Sequence, residues 1–193
     1  MKLYFLFFSS LLVLALGTSG CSPKDSATTA AASKREVSLP AIATGAKGFT
    51  VGALMSSNTV YVFFDTQCPH CGHLWQASEP LQRKVKFVWI PIGMINATSK
   101  AQGAALLTAA NPAALMTEHE TSLLAGQGGI SASSSVAPEI EQAIKNNTQL
   151  LNSFGAESVP FIVAKNMKSG QTVSREGAMS TVELGEFLGV DAP

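Results

Sequence analysis

The alternation of apolar and polar residues divides the chain into an apolar N-terminal run, a polar stretch and a region patterned like a folded domain. Two short β-branched and aromatic runs open the third region, "FTVGALM" and "TVYVFFD", with the turn signal "SSN" between them. The second run is almost continuously apolar, which predicts a strand buried on both faces. Another such strand is predicted at "VKFVWIPIG".

A helical pattern lies between the two buried strands, in "CGHLWQASEPLQRK". Leu74 and Trp75 mark its apolar stripe, and Pro80 predicts a kink. A strand, a helix and a second strand in this order predict a parallel pair with a crossover helix. We therefore expect an α/β domain.

The section after the second buried strand has little strand character. It predicts two helices separated at Asn111-Pro112, a loop reading "GQGGISASSS", and a helix that begins near Pro138 and stops at Gly155. The chain then predicts a β-hairpin from "SVPFIVAKN" and "TVSREG", and a short helix near "STVELGEFLG". The helices are thus expected as an insertion between a βαβ half and a C-terminal ββα half.

The first twenty residues predict a bacterial secretory signal, with Lys2, an apolar stretch that is short for a membrane span, and then small residues. Cys21 follows directly and resembles the modified cysteine of a lipobox, although Thr18 stands where leucine is usual. We predict lipidation of Cys21. Ordinary cleavage nearby, which leaves Cys21 free, is the alternative. The three cysteines favour lipidation, because it leaves one matched pair.

A polar stretch, "SPKDSATTAAASKRE", follows Cys21 and predicts a flexible linker or a short Ala-rich helix. As a coil it would reach about 20 Å from a membrane. The predicted organisation is a signal peptide over residues 1–20, the lipidated cysteine and linker over 21–36, and one folded domain over 37–193.

Composition and charge exclude some classes of partner. The chain has 13 basic and 13 acidic residues without a long run of one sign, so nothing indicates nucleic acid as a partner. A hydrophobic content of 46% with 13% charged residues is typical of a folded globular protein.

The candidate chemistry is concentrated in "CPHC", where Cys68 and Cys71 follow the first buried strand. Haem attachment needs a histidine directly after the second cysteine, where this chain has Gly72. Structural zinc needs four ligands, and the sequence has neither a second cysteine pair nor suitably spaced histidines. A structural disulfide across four residues would constrain little of the unfolded chain. The pattern favours a redox dithiol that needs no cofactor and no metal.

Cys68 is placed where a helix is expected to begin, and there the free N–H groups and the helix dipole favour a thiolate. Cys71 lies one turn later and can attack a mixed disulfide formed at Cys68. His70 either adds positive charge beside the thiolate or is a solvated loop histidine. Asp65, at the end of the strand, is either a buried proton relay for Cys71 or a polar strand-end residue.

One group of charged residues in the helical section has a simpler interpretation. Glu118, His119 and Glu120 follow one another on the second predicted helix of this section. We expect them to form a solvated face.

Three segments together resemble the thioredoxin-fold periplasmic disulfide proteins, closest to the DsbC/DsbG branch: "FFDTQCPHC", "SFGAESVPFIVAKN" and "REGAMSTVELGEFLG". The resemblance covers about residues 59–189. It implies a thioredoxin fold and a cis peptide at Val159-Pro160 that faces the dithiol, with the Val159 backbone pairing with an extended substrate segment. An ordinary trans proline at the start of an edge strand is the alternative.

The chain departs from that branch in ways that bear on function. The branch carries an N-terminal dimerisation domain, for which residues 37–54 are too few, so the sequence favours a monomer over a dimeric isomerase. Pro69 and His70 between the cysteines, and Val159 before the proline, resemble the oxidising DsbA-type proteins.

These features predict a thiol-disulfide oxidoreductase on the periplasmic side, held at a membrane by lipid on Cys21. Its expected partners are cysteine-containing exported proteins and a membrane redox protein, and its expected direction is oxidation. The alternative is a reductase or isomerase that a membrane partner keeps reduced. An alternative of a different class is a Cu(I)-binding module that uses the same two thiols.

Overall fold

The computed structural model describes residues 36–192, so the predicted signal peptide, Cys21 and nearly all of the predicted linker lie outside the described residues. None of the helices in this part of the chain is long and apolar enough to cross a membrane. The described residues form five strands and six helices. In chain order these are α1 (Leu39–Gly45), β1 (Phe49–Gly52), β2 (Thr59–Asp65), α2 (Pro69–Ser78), β3 (Lys86–Ile92), α3 (Ala97–Thr108), α4 (Pro112–Leu124), α5 (Pro138–Ser153), β4 (Phe161–Lys165), β5 (Thr172–Glu176) and α6 (Thr181–Leu188).

The strands form one sheet in the order β1-β3-β2-β4-β5. β2 and β3 are parallel and are joined through α2, as the sequence predicts, and every other neighbouring pair is antiparallel. Phe63 of β2 pairs with Ile90 on one side and with Phe161 on the other. The carboxyl end of β2 therefore lies in the middle of the sheet, and α2 begins there.

The core occupies both faces of this sheet. Consecutive residues of a strand point to opposite faces, so Phe64 packs in one apolar cluster and Phe63 in the other. The last four residues of β2 are all buried, which confirms the predicted strand with two covered faces. On the Phe64 side, Trp89 lies edge-on to Phe64 at 5.5 Å and to Trp75 of α2 at 5.2 Å between ring centroids.

The helices cover the two faces separately. Buried side chains of α2, α4 and α6 join the cluster around Phe64, and those of α1 and α5 join the cluster around Phe63. Helices α3, α4 and α5 lie between β3 and β4 in the chain, so the predicted helical insertion is present. Its position places α4 directly against α2, the helix that carries the dithiol.

The predicted limits of the inserted helices agree with the structure. Asn111 caps α4 by accepting a hydrogen bond from the Ala114 N–H, and Pro112 occupies the first turn. Pro138 opens α5, and Gly155 follows its end with a φ of 68°. Pro80 lies in a short 3₁₀ turn, Glu79–Leu81, that continues α2.

Two elements differ from the sequence prediction. Helix α1 was not predicted, although Ser38 caps it and Pro40 lies in its first turn. The strand predicted across "FTVGALM" ends at Gly52, where φ is 91°. A Cβ there would lie 2.6 Å from the Val85 carbonyl oxygen, so the chain turns tightly at a position that only glycine fits.

Candidate active site

The dithiol lies at the junction between the end of β2 and the start of α2. Cys68 is the N-cap residue of α2, with φ −102° and ψ 109°, and Pro69 occupies the first turn. Cys68 is 7% exposed and Cys71 is fully buried, and both are free thiols. The local sequence produces this arrangement because proline suits the first turn of a helix, where its missing N–H is not needed.

The two sulfurs have very different proton affinities. A hydrogen bond from the Cys71 side chain lowers the pKa of Cys68 to about 6, against the opposing effect of burial. Backbone N–H groups of Cys71 and His70, and the charge of His70, lower it further. Burial raises the pKa of Cys71 well above the usual value, and its bond with Cys68 adds to this. Near neutral pH Cys68 is therefore the thiolate and Cys71 the thiol.

The segment before β4 faces the dithiol. The Val159–Pro160 peptide is cis, as the resemblance implies, and Pro160 is buried while Val159 is half-buried. The Sγ atom of Cys68 lies 3.5 Å from the Val159 carbonyl oxygen. The structure thus brings together four of the residues singled out in the sequence, from positions 91 residues apart.

The two histidines of the motif are both exposed. The rings of His70 and His73 lie 6.4 Å apart, on successive turns of α2. Of the two, His70 contributes to the lowered pKa of Cys68. This small contribution is consistent with a positive charge beside the thiolate, and the exposure of His70 is consistent with a solvated residue.

Asp65 has a structural role in this geometry. Its Oδ1 accepts from the Gln67 N–H, and its Oδ2 accepts from the N–H groups of Met94 and Ile95. The carboxyl group is fully buried and ties the end of β2 to the loop after β3. Of the two interpretations of Asp65, the structure supports the polar strand-end residue.

His119 holds the loop before the dithiol. Its Nε2 donates to the Thr66 carbonyl oxygen at 2.7 Å, and its Nδ1 accepts from the Ile130 N–H at 3.2 Å. Burial lowers the pKa of His119, and one ring nitrogen must accept, so the ring is neutral. Gly129 permits the close approach, because a Cβ there would overlap the imidazole.

A second polar contact holds the same loop from α3. Gln67 donates to Gln102 Oε1 at 2.6 Å, and Gln102 donates to the carbonyl oxygens of Gly128 and Ile130. Asn96 donates to Gln67 Oε1. The residues before Cys68 are thus fixed by side chains of the helical insertion.

Glu120 lies beside the dithiol on the α4 side. It is 1% exposed, and neither carboxyl oxygen has a hydrogen-bond partner within the described residues. Its Oε2 would lie 2.5 Å from a Cβ placed on Gly72, the residue after Cys71. Burial, with the charge of Cys68 as the second cause, raises the pKa of Glu120 to about 9.

The prediction of a solvated face at Glu118, His119 and Glu120 is therefore wrong for two of the three residues. Glu118 is exposed, but His119 and Glu120 are buried between α4 and the dithiol. Met116 is buried on the same side of the helix. Its spacing of three and four residues to positions 119 and 120 is the sequence signal that could have identified them.

Metal-binding groups are sparse in this part of the protein. Among residues 36–192, no cluster of three or more His, Cys, Asp or Glu side chains is arranged to hold a metal ion.

Comparison with known proteins finds relatives in sequence. No family model matches the chain. The DsbG thiol:disulfide interchange protein of Pseudomonas aeruginosa is 29% identical over 141 residues, which are 72% of this chain and 54% of that protein. DsbG of Escherichia coli is 31% identical over 105 residues, 53% of this chain and 42% of that protein. The chain therefore matches about half the length of these relatives.

Solved structures resemble the fold at lower sequence identity. The catalytic domain of Proteus mirabilis ScsC has a TM-score of 0.62 at 16% identity, over 77% of this chain and 91% of that one. A periplasmic thioredoxin-like protein from Salmonella enterica serovar Typhimurium has a TM-score of 0.62 at 16% identity, over 80% and 97%. These likenesses establish a thioredoxin-like fold. In sequence, the chain is similar to DsbG, a thiol:disulfide interchange protein.

Proposed function

We propose that the protein exchanges disulfides with cysteine-containing exported proteins and that it works in the oxidising direction. The observation that carries this proposal is the placement of a thiolate-forming Cys68 opposite the Val159 carbonyl, with Cys71 buried behind it. In the oxidised protein, a substrate thiolate attacks the Sγ of Cys68 and Cys71 leaves. A second substrate thiolate then attacks the substrate sulfur, and Cys68 leaves as its stable thiolate.

The direction of electron flow rests on the stability of that thiolate. A dithiol whose reduced form is stabilised by a low pKa has a more oxidising disulfide. The pKa of Cys68 is lowered to about 6, which favours loss of the disulfide and therefore oxidation of the substrate. A reductase or isomerase would need an electron supply that keeps the pair reduced against this preference.

Substrate binding is proposed along the segment that precedes β4. Val159 is half-buried and follows the exposed residues Glu157 and Ser158, so an extended peptide has access to the backbone beside Cys68. Backbone hydrogen bonds of this kind do not depend on the substrate's side chains. We therefore expect broad selectivity among unfolded or extended cysteine-containing segments.

The proposal is tested by trapping the mixed disulfide with Cys71→Ser. This variant lacks the Cys71 thiol that would attack a mixed disulfide at Cys68 and reverse the first step, so disulfide-linked complexes with exported proteins should last longer and accumulate. The complexes should disappear on reduction and should be absent from a matched Cys68→Ser/Cys71→Ser variant. If the single variant formed no such complexes, and the wild-type protein oxidised no peptide dithiol in vitro, the proposed function would be wrong.

We also propose a periplasmic location with a lipid anchor at Cys21 and a membrane protein that reoxidises the dithiol. The support is the signal-like N-terminus and the lipobox-like position of Cys21. Labelled fatty acid should be incorporated into the wild-type protein and not into Cys21→Ala. Equal membrane association of the two proteins would contradict the anchor.

A further inference from the structure

Glu120 is a buried carboxyl group that has no hydrogen-bond partner within residues 36–192. Its side chain is 1% exposed, and both oxygens lack a hydrogen-bond donor among the described residues. Burial of an unpaired polar group is costly, and natural proteins rarely keep one without a use. Hydrogen bonds account for the burial of the neighbouring Asp65 and His119, but none in the described part of the chain accounts for the burial of Glu120.

The carboxyl group is aimed at the dithiol helix. Its Oε2 occupies the space beside Gly72 that a side chain would fill, directly after Cys71. Burial is the main cause that raises the pKa of both Cys71 and Glu120. The charge of Glu120 adds a little to the first shift and the charge of Cys68 adds to the second, so the three groups are close enough to interact. A Gly at position 72 is what allows α4 to bring a carboxylate this close.

The other titratable groups around the dithiol either have hydrogen-bond partners already or face solvent. Asp65, at the end of β2, accepts three backbone N–H groups. His119, beside Glu120 on α4, uses both ring nitrogens for Thr66 and Ile130. His70 is exposed, on the solvent side of α2. Of these buried groups, Glu120 is the one whose oxygens are not engaged in hydrogen bonds with any described residue and can therefore bind or release a proton.

We propose that Glu120 is the acid–base residue for Cys71, which donates a proton to its sulfur when Cys71 leaves and accepts the proton when Cys71 attacks. This assignment rests on the proposed function. In the oxidising direction, the bond between the substrate sulfur and Cys68 forms and the Cys68–Cys71 bond breaks. The electron pair goes to the Cys71 sulfur, the Glu120 proton follows it, and the resulting carboxylate regains a proton from solvent.

The arrangement favours this transfer energetically. A buried Cys71 thiolate is the least stable product of the first step, because burial raises its pKa well above the usual value. Burial is the main cause that raises the pKa of Glu120 to about 9 in the dithiol form, and this cause also acts in the oxidised protein, so at neutral pH Glu120 carries its proton. A neutral proton donor packed against the dithiol helix and a strongly basic leaving sulfur are the two groups that general acid catalysis requires.

The test measures only the first step, in which a substrate thiolate attacks Cys68 of the oxidised protein. Oxidised wild-type protein, Glu120→Gln and Glu118→Gln would each be mixed with a peptide that contains one reduced cysteine, and mixed-disulfide formation would be timed from pH 6 to 10.5. Glu118 is the matched control, because it lies on the same helix and is exposed. Rates would be divided by the fraction of peptide thiolate at each pH.

Glu120→Gln should slow this step tenfold or more below pH 9, against the 10²–10⁴-fold that general acid–base groups typically contribute. The deficit should shrink above pH 9, where wild-type Glu120 has lost its proton, and Glu120→Asp should restore part of the rate. A purely structural role would give a deficit that does not change with pH. Glu118→Gln should match the wild type throughout.

The outcomes separate this assignment from the function on which it rests. A wild-type protein that forms no mixed disulfide overturns the proposed function. A reactive wild type whose rate and pH profile are retained in Glu120→Gln overturns the role of Glu120 alone. If Glu120→Gln did not fold, the normalised wild-type rate would still have to fall between neutral pH and pH 10.5, as Glu120 loses its proton, and a flat profile would overturn the assignment.

Discussion

The Sγ atom of Cys68 lies 3.5 Å from the carbonyl oxygen of Val159, although the two residues are 91 positions apart in the chain. This contact joins the first half of the fold, which carries the dithiol, to the C-terminal hairpin. A substrate sulfur bonded to Cys68 would therefore lie beside an accessible stretch of backbone. The dithiol and the segment proposed to bind peptide therefore lie side by side.

The hydrogen bond from Cys71 to Cys68 predicts how the thiolate responds to mutation. Cys71→Ala removes the leading cause of the lowered pKa, so the Cys68 pKa should rise from about 6 towards the usual value of 9. Cys71→Ser keeps a donor and should raise it less. The measurement is the thiolate absorbance of the reduced protein as a function of pH.

The same titration distinguishes the two histidines. His70→Ala should raise the Cys68 pKa by a smaller amount, because the charge of His70 is the least of its causes. His73→Ala is the matched control, since His73 is also exposed and lies on the next turn. Equal effects of the two substitutions would contradict a specific role for His70.

Gly72 is predicted to be intolerant of even one added carbon. A Cβ there would lie 2.5 Å from Glu120 Oε2 and 3.2 Å from Leu124 Cγ. Gly72→Ala should therefore destabilise the protein by about 1–3 kcal/mol, the usual cost of overpacking, and displace Glu120. Gly45→Ala, which meets Leu150 at an ordinary 3.6 Å, is the control. Chemical denaturation of both variants measures the difference.

Glu120 should make the free energy of unfolding depend on pH. Its folded pKa of about 9 exceeds the usual 4.5, so the folded protein binds the extra proton between these values and loses stability as the pH rises. The wild type should lose up to about 1.4 kcal/mol per pH unit relative to Glu120→Gln between pH 5 and 8. Parallel stability curves for the two proteins would contradict a buried neutral carboxyl.

His119 should have the opposite dependence. Its folded pKa is lowered by burial, so its contribution is present above its unfolded pKa and is lost as the pH falls. His119→Ala should cost about 2–4 kcal/mol near pH 7, because the Thr66 carbonyl and the Ile130 N–H lose a buried partner. The difference from wild type should narrow towards pH 5, and unfolding curves at several pH values would measure it. A difference in unfolding free energy that does not change with pH would contradict a neutral His119 that holds Thr66 and Ile130.

The sequence predicted the main elements of the fold because each has a strong local pattern. The buried strand over residues 59–65 is almost continuously apolar, and Pro112, Pro138 and Gly155 mark the ends of inserted helices. Helix α1 was missed because seven residues give too short an apolar period. The strand in "FTVGALM" was overextended because its end at Gly52 depends on contact with Val85, which lies 33 positions further on.

The site was predictable only where its residues adjoin the motif. Cys68, His70 and Cys71 are contiguous, and Val159-Pro160 was implied by resemblance to a family. Glu120 and His119 could not be placed in the site from the sequence, because what buries them is the packing of α4 against α2. Three successive polar residues in a helix have the composition of a solvated face, and only the period from Met116 indicates otherwise.

The central claim is that Cys68 and Cys71 form an oxidising dithiol. Its most direct test is the reduction potential of the pair, measured by equilibration of the purified protein with glutathione buffers. We predict a reversible two-electron couple well above about −270 mV and towards about −120 mV, the oxidising end of the range for related folds. A potential at or below about −270 mV, or a pair that does not oxidise reversibly, would contradict it.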